Sequence, residues 1–248
     1  MTSSKKIWSF IKGFILLNIL WYICAFIMDS RILPSPDKIY LHLPGLFQNG
    51  FYIHIIASLY RVFVGLSLAF LIGSAIGLIM GYSKSFNKIL NPLVYFAYPI
   101  PKTALLPVVM TLYGLGDGSK ITIVVLITVF QVIVSVRDSV INVEKVNYNP
   151  LISLGASRIQ KFYHVTLPAI LPEVLTNIRL SIGTAFSVLF FAEAYGTSMG
   201  IGYFIQDAWT RINYIDMYSG IVILSILGLI LFIILDYIEA VVCKWKRN

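Results

Sequence analysis

Long apolar runs separated by short polar stretches fill nearly the whole chain. The runs are Ile7–Met28, Val62–Ser83, Ile89–Gly116, Ile121–Val136, Pro172–Gly196 and Met217–Leu235, the last extending to about residue 240. An α-helix needs about 20 apolar residues to cross ~30 Å of hydrocarbon, so each run is a candidate membrane span. The runs lack the alternation of a barrel strand, and lipid cannot satisfy open strand edges, so helices are the predicted element. Ile89–Gly116 is interrupted by Pro92, Pro99, Pro101, Lys102 and Pro107, which predicts a bent or broken span. Within the second run Gly65, Ala69, Gly73, Gly77 and Gly81 recur every four residues. Each step of four turns a helix by about 400°, so these positions form one slowly winding ridge that lets another helix approach closely. The expected fold is therefore all-α: one polytopic membrane domain with about six transmembrane helices. A polar, helix-compatible loop over residues 137–171 joins the fourth and fifth.

Composition agrees with this reading. Of the 248 residues 58% are hydrophobic and only 12% charged, against about 25% charged in soluble domains. The net charge of +8 does not mark a nucleic-acid binder, because the basic residues lie between the apolar runs instead of forming one patch. Lys5, Lys6, Lys12, Lys84, Lys88, Arg137, Lys145, Arg158, Lys161, Arg179, Lys244, Lys246 and Arg247 fall on one side of a six-span arrangement. Arg31, Lys38, Lys120 and Arg211 fall on the other. The positive-inside rule then puts both termini in the cytoplasm of a cell (inner) membrane. The first run is too long for a typical signal-peptide core and is read as a retained span. Cys24 and Cys243 show neither metal nor disulfide spacing.

Little in the sequence looks enzymatic. Gly114–Gly118 and Gly196–Gly202 are glycine-rich, but neither carries the Lys-Ser/Thr that grips phosphates. His42, His54 and His164 are far apart, and no metal set is expected. Five polar positions are candidates for a translocation path: Glu193, Lys102, Ser181, Thr184 and Ser187. Glu193 is an ionisable residue in a span, where it either lines a path or pairs with a cation. Lys102 lies between proline-broken half-spans, where a cation either attracts an anionic solute or reaches an interface. Arg61 and Arg179 read as interfacial anchors. Trp209, Tyr214 and Tyr218 suit an outer aromatic belt, and residues 200–215 suit a short amphipathic helix at that surface. An ATP-independent transporter or channel is the alternative class. It would need several ionisable residues deep in the spans, and only Glu193 and Lys102 are candidates.

The loop contains Leu154-Gly155-Ala156-Ser157-Arg158 followed by Val165-Thr166-Leu167-Pro168. This pattern resembles the coupling loop, or EAA motif, of permease subunits of bacterial ABC importers. There a glycine precedes an apolar-x-Leu-Pro element by about a dozen residues. Ala57-Ser58-Leu59-Tyr60-Arg61-Val62, the Pro101–Pro107 stretch, Gly114-Leu115-Gly116, and Ala192-Glu193 before Gly200-Ile201-Gly202 are similar to the nitrate/sulfonate/taurine-type subfamily. The likeness covers about residues 50–240. It implies a type I importer permease, with a second permease copy, a cytoplasmic ATPase dimer that holds ATP and magnesium, and an extracytoplasmic substrate-binding protein. It implies no cofactor in this chain. The solute it implies is a small anion such as nitrate, a sulfonate or taurine, although related permeases carry thiamine precursors. One departure stands out: the family's Glu-Ala-Ala is replaced by Asn149-Pro150-Leu151. The resemblance therefore implies a coupling helix shortened to begin near Pro150. The coupling loop would comprise Asn149, Pro150, Leu151, Ser153, Gly155, Ala156, Ser157 and Arg158, with Leu167 and Pro168 leading into the next span, and its ATPase contact would rest on Ser153, Gly155, Ala156, Ser157 and Arg158 in place of the missing acid.

Overall fold

In the computed structural model, which describes residues 3–28 and 32–247, the apolar runs are α-helices. In order they are α1 (Ser3–Ile27), α2 (Pro36–Gln48), α3 (Tyr52–Tyr82), α4 (Lys84–Ala97), α5 (Leu106–Tyr113), α6 (Asp117–Ile141), α7 (Asn149–Ser153), α8 (Arg158–Lys161), α9 (Leu167–Glu193), α10 (Ile201–Thr210) and α11 (Tyr214–Val242). Among the described residues there is no strand. Arg31 and the side chains of Lys5, Lys6, Lys246 and Arg247 lie outside the described residues.

Four stretches are long and apolar enough to cross a bilayer alone: Tyr52–Tyr82, Asp117–Ile141, the continuous Arg158–Glu193, and Tyr214–Val242. Lys84–Ala97 and Lys102–Tyr113 reach that standard only as a pair, bent by 80°. The bend falls at Pro99 and Pro101, which have no N–H to carry a helix onward. The apolar part of α1, Lys12–Ile27, is shorter.

The helices differ from the expected spans at their ends. α3 starts ten residues before Val62, so Arg61 lies inside it. α6 runs to Ile141 and the next long helix resumes at Arg158, so the stretch between long helices is 142–157 instead of 137–171. Pro172 sits within α9 instead of starting it, and Pro168 takes the first turn, where a missing N–H costs nothing. α2 was not foreseen.

The glycine ridge of α3 lies directly against α6. A Cβ added at Gly65 would come 2.7 Å from Val124 Cγ1, at Gly73 2.8 Å from Val132 Cβ, at Gly77 2.8 Å from the Ile133 carbonyl, and at Gly81 2.6 Å from Val140 Cβ. Ala69 in the middle of the ridge is fully buried. Hydrogen at each glycine is what allows the two backbones to meet, a contact worth having where lipid tails offer no hydrophobic drive for helices to associate.

These contacts also fix direction. Gly65, Gly73 and Gly81 face Val124, Val132 and Val140 in the same order, so α3 and α6 are parallel. The intervening segment 84–116 must therefore return along the whole height of α3. The bent α4–α5 pair is that return, a broken span and not a shallow re-entrant loop. α9 runs the other way: Val188 and Ala192 pack beside Ile123, and Ile170 and Val174 beside Val136 and Val140. α11 reverses again, with Phe190 near Leu224 and Arg179 bonded to Glu239.

Candidate functional site

The two ends of this bundle carry different chemistry. At one end the start of α3, the start of α6, the end of α9 and the start of α10 converge on buried Arg61 and Glu193, which are 4% and 1% exposed. Arg61 Nη1 donates to Glu193 Oε1 at 2.7 Å and to the Met199 carbonyl at 2.8 Å, while its Nε donates to Asp117 Oδ1 at 2.7 Å. Ser58 Oγ donates to the Glu193 carboxylate at 2.8 Å and accepts from the Ile201 amide at 2.9 Å. The Gly202 amide donates to Glu193 Oε2 at 2.9 Å, and the Gly200 amide to His54 Nδ1 at 3.1 Å. A carboxylate held by a guanidinium, a hydroxyl and an amide has its lone pairs met, which a buried ion pair needs in order to offset its desolvation. Gly200 is required twice over: its φ is +127°, and a Cβ would lie 2.3 Å from Glu193 Cδ.

Beside this knot, Lys120 is fully buried and donates its ammonium to the Leu115 and Gly196 carbonyls. Leu115 fills the space over Gly196, where a Cβ would come 2.5 Å from Leu115 Cδ2. A cavity of about 470 Å³ lies over Arg61, lined by Asp117, Leu115 and the 196–199 loop. Three motifs far apart in sequence, 57–62, 114–116 and 192–202, are thus one structural unit.

This corrects several expectations. Arg61 is not an interfacial anchor but the centre of a buried ion-pair network. Arg179 likewise pairs within the bundle, with Asp236 and Glu239 of α11. Lys120, expected only to fall on the side opposite the termini, is buried at the Arg61 end. Of the two roles open to Glu193, the single chain shows the pairing one, with the carboxylate enclosed against Arg61. The 201–210 helix packs Ile201, Ile205 and Ala208 into the bundle instead of merely floating at an interface. Ser58 and Asp117 were not singled out. The available signal was Arg61 itself, a charge among apolar residues that must find acids once the helix is extended to include it.

The remaining path candidates do not meet at one point. Lys102 is half-buried, donates to the Tyr98 carbonyl and sits over the Tyr98 and Phe130 rings, 5.4 and 5.2 Å from their centroids. Ser181 is buried, 3.4 Å from Asn177 Oδ1, on the wall of an apolar cavity of about 900 Å³ between α3, α9 and α11. Thr184 and Ser187 return their hydroxyls to the Leu180 and Gly183 carbonyls. Leu180, Thr184, Ser187 and Phe191 share one face of α9 by helical spacing, and Leu180 and Phe191 are 66% and 54% exposed. That face is open in the single chain.

The opposite end carries the short-helix segment. α7 begins at Asn149-Pro150, with proline at the first turn, and ends at Ser153. Leu151 is half-buried and receives the Ala156 amide on its carbonyl at 2.9 Å. Gly155 then adopts φ +71° with open space around it, reversing the chain. Ser157 caps α8 in a reciprocal capping box with Gln160, and Arg158 is its first residue. Ile152, Leu154 and Ile159 project outward at 56%, 80% and 70% exposure. A π-helical turn, Phe162–Thr166, joins α8 to Leu167 and Pro168 of α9.

Comparison with known proteins gives consistent results. A family model described as "Binding-protein-dependent transport system inner membrane component" matches residues 69–246. The formylaminopyrimidine transport permease protein ThiX of Halalkalibacterium halodurans is 28% identical over 95% of this chain and 94% of that protein. The taurine transport system permease protein TauC of Escherichia coli is 30% identical over 93% of this chain and 86% of that protein. Among solved structures, a bacterial ABC transporter involved in the import of the acidic polysaccharide alginate superimposes with a TM-score of 0.66 at 17% identity, covering 95% of this chain and 96% of that one.

Proposed function

The chain belongs to the family of binding-protein-dependent transport system inner membrane components, a multi-pass ABC permease, and from that premise we propose that it couples solute passage to a separate ATPase through the 149–161 segment. The observation that carries the proposal is the shape and exposure of that segment. It is two short helices reversed at Gly155, at the end of the bundle away from the Arg61 knot, with Ile152, Leu154 and Ile159 turned outward. Exposed aliphatic side chains on a locally capped support suit docking into a cleft of another protein. The lost Glu-Ala-Ala acid at 149–151 leaves an apolar contact as the main anchor.

In this reading both termini and the 142–157 stretch are cytoplasmic, and a second copy of the chain closes the open face of α9. Thr184 and Ser187 then line the path between the two copies, with Lys102 and Ser181 nearby. ATP and magnesium are held by the ATPase dimer, and a binding protein delivers solute at the Arg61 end. The solute is a small organic or inorganic anion such as a sulfonate, taurine or nitrate. A thiamine precursor is the alternative, supported by the formylaminopyrimidine permease relative. Ligand binding by the partner binding protein decides between them.

The test is Gly155→Trp. Gly155 has nothing within 4 Å of an added Cβ, so a bulky side chain leaves the bundle intact. It strains the reversal and covers the docking patch. Membrane insertion and abundance are expected to be normal, while the ATPase no longer co-purifies or no longer drives uptake. Normal uptake by this variant at normal abundance refutes the coupling role.

A further inference from the structure

The coupling segment is pinned at its base by three hydroxyls. Thr166, the last residue of the π-helical turn, is fully buried. Its Oγ1 is hydrogen-bonded to the phenol of Tyr82 and, at 2.9 Å, to the phenol of Tyr148. Tyr82 is the last residue of α3, one past Gly81, which presses on Val140 of α6. Tyr148 ends the 3₁₀ turn Lys145–Tyr148 that leads directly into α7. The Tyr82 ring also lies 6.5 Å from the Phe162 ring at the start of the π-helical turn.

One buried oxygen therefore ties the entrance of the 149–161 segment, its exit into α9, and the foot of the α3–α6 pair. π-helical turns persist at functional positions because their looser ladder is otherwise unfavourable. A displacement of the outward helices cannot reach α9 alone: with Tyr148 and Thr166 bonded, it moves both strands of the loop's base and drags Tyr82. Bistable packed elements transmit motion in this way, provided the joint is stiff.

We propose that Tyr82, Thr166 and Tyr148 form the transmission joint that passes motion of the ATPase-facing segment into α3 and α9. This rests on the coupling reading above and adds to it which residues convert docking into helix movement. All three are positioning residues, since none touches solute or nucleotide. Thr166→Val keeps the shape and removes both hydrogen bonds. Thr166→Ser keeps the hydroxyl, and Tyr148→Phe removes one bond while keeping a half-buried ring.

The test uses the full complex with its ATPase in proteoliposomes, the native cysteines replaced by serine, and Ser187→Cys as reporter on the open face of α9. Labelling by a membrane-impermeant maleimide is measured without nucleotide and with ATP and vanadate, alongside ATP hydrolysis. In the otherwise unaltered complex, labelling is expected to change with nucleotide. In Thr166→Val the ATPase stays bound and hydrolyses ATP, but the labelling response is lost. Tyr148→Phe reduces it roughly two- to tenfold, the effect of one hydrogen bond, and Thr166→Ser restores it. A full response in both Thr166→Val and Tyr148→Phe overturns the joint while leaving the coupling reading standing. An unaltered complex that does not respond, or to which no ATPase binds, overturns the coupling reading itself. Loss of the response in Thr166→Ser as well as in Thr166→Val overturns the hydroxyl role in favour of plain packing.

Discussion

The glycine ridge between α3 and α6 makes a prediction whose outcome depends on what each glycine faces. At Gly65 an added Cβ would lie 2.7 and 2.9 Å from side-chain atoms of Val124, with the nearest backbone atom, the Ile121 carbonyl, at an ordinary 3.4 Å. At Gly77 the nearest atom is backbone, the Ile133 carbonyl at 2.8 Å, followed by Val136 Cβ at 2.9 Å and the Arg137 amide nitrogen at 3.2 Å. Ordinary contact begins near 3.4 Å, so alanine at either position pushes the helices apart by about half an ångström or more along a seam that runs the length of α3. Overpacking of this kind costs about 1–3 kcal/mol, or roughly 5- to 150-fold in the folded-to-unfolded ratio. The difference emerges in double-mutant cycles. Val124→Gly removes the atoms that Gly65→Ala strikes, so that pair should cost less than the sum of its parts by about 1 kcal/mol or more. Val136→Gly leaves the Ile133 carbonyl in place, so Gly77→Ala with Val136→Gly should be additive or nearly so. Reversible unfolding in mixed detergent and SDS micelles, read by tryptophan fluorescence or circular dichroism, gives both cycles. Equal rescue at the two sites would refute the assignment of backbone contact at Gly77. The absence of any cost at Gly65 and Gly77 would refute close parallel packing of α3 on α6.

The Arg61 knot predicts that single replacements are worse than paired ones. Arg61→Met or Glu193→Leu alone should destabilise by about 3–5 kcal/mol by leaving a buried charge unmatched, whereas the double variant recovers part of that in the same unfolding assay. Lys120→Met strands the Leu115 and Gly196 carbonyls and should cost about 1–3 kcal/mol, measured as above. Gly200→Ala meets the Glu193 carboxylate head-on and should abolish accumulation of folded protein. Gly155→Ala meets nothing, carries only the left-handed backbone penalty of about 1–2 kcal/mol, and should insert and accumulate normally on quantitative blotting of membranes.

The sequence by itself determined that this is a helical membrane protein, because apolar runs of span length leave lipid no other element to solvate. It also determined the ridge on α3, since a period of four glycines and an alanine needs only helical geometry to become a stripe. The broken third span was legible in its prolines, the reversal between α7 and α8 in Gly155, and the approach to α9 in Pro168. Local rules of this kind act over a few residues and survive translation into three dimensions. Only the tertiary structure decided what the charges do. Arg61 finds Glu193 132 residues away, and Lys120 reaches Gly196 across 76. No periodicity records such distances, so Arg61, met alone at the edge of an apolar run, suggests an interface anchor until its acids are located. The same holds for Thr166, an unremarked residue in Val-Thr-Leu-Pro whose partners Tyr82 and Tyr148 arrive from other elements. Six alternating spans already make α3 and α6 run the same way, but that they pack together, glycine against valine, is decided by the tertiary structure. Span order follows from local hydropathy, but which faces meet depends on the summed close contacts of the whole bundle.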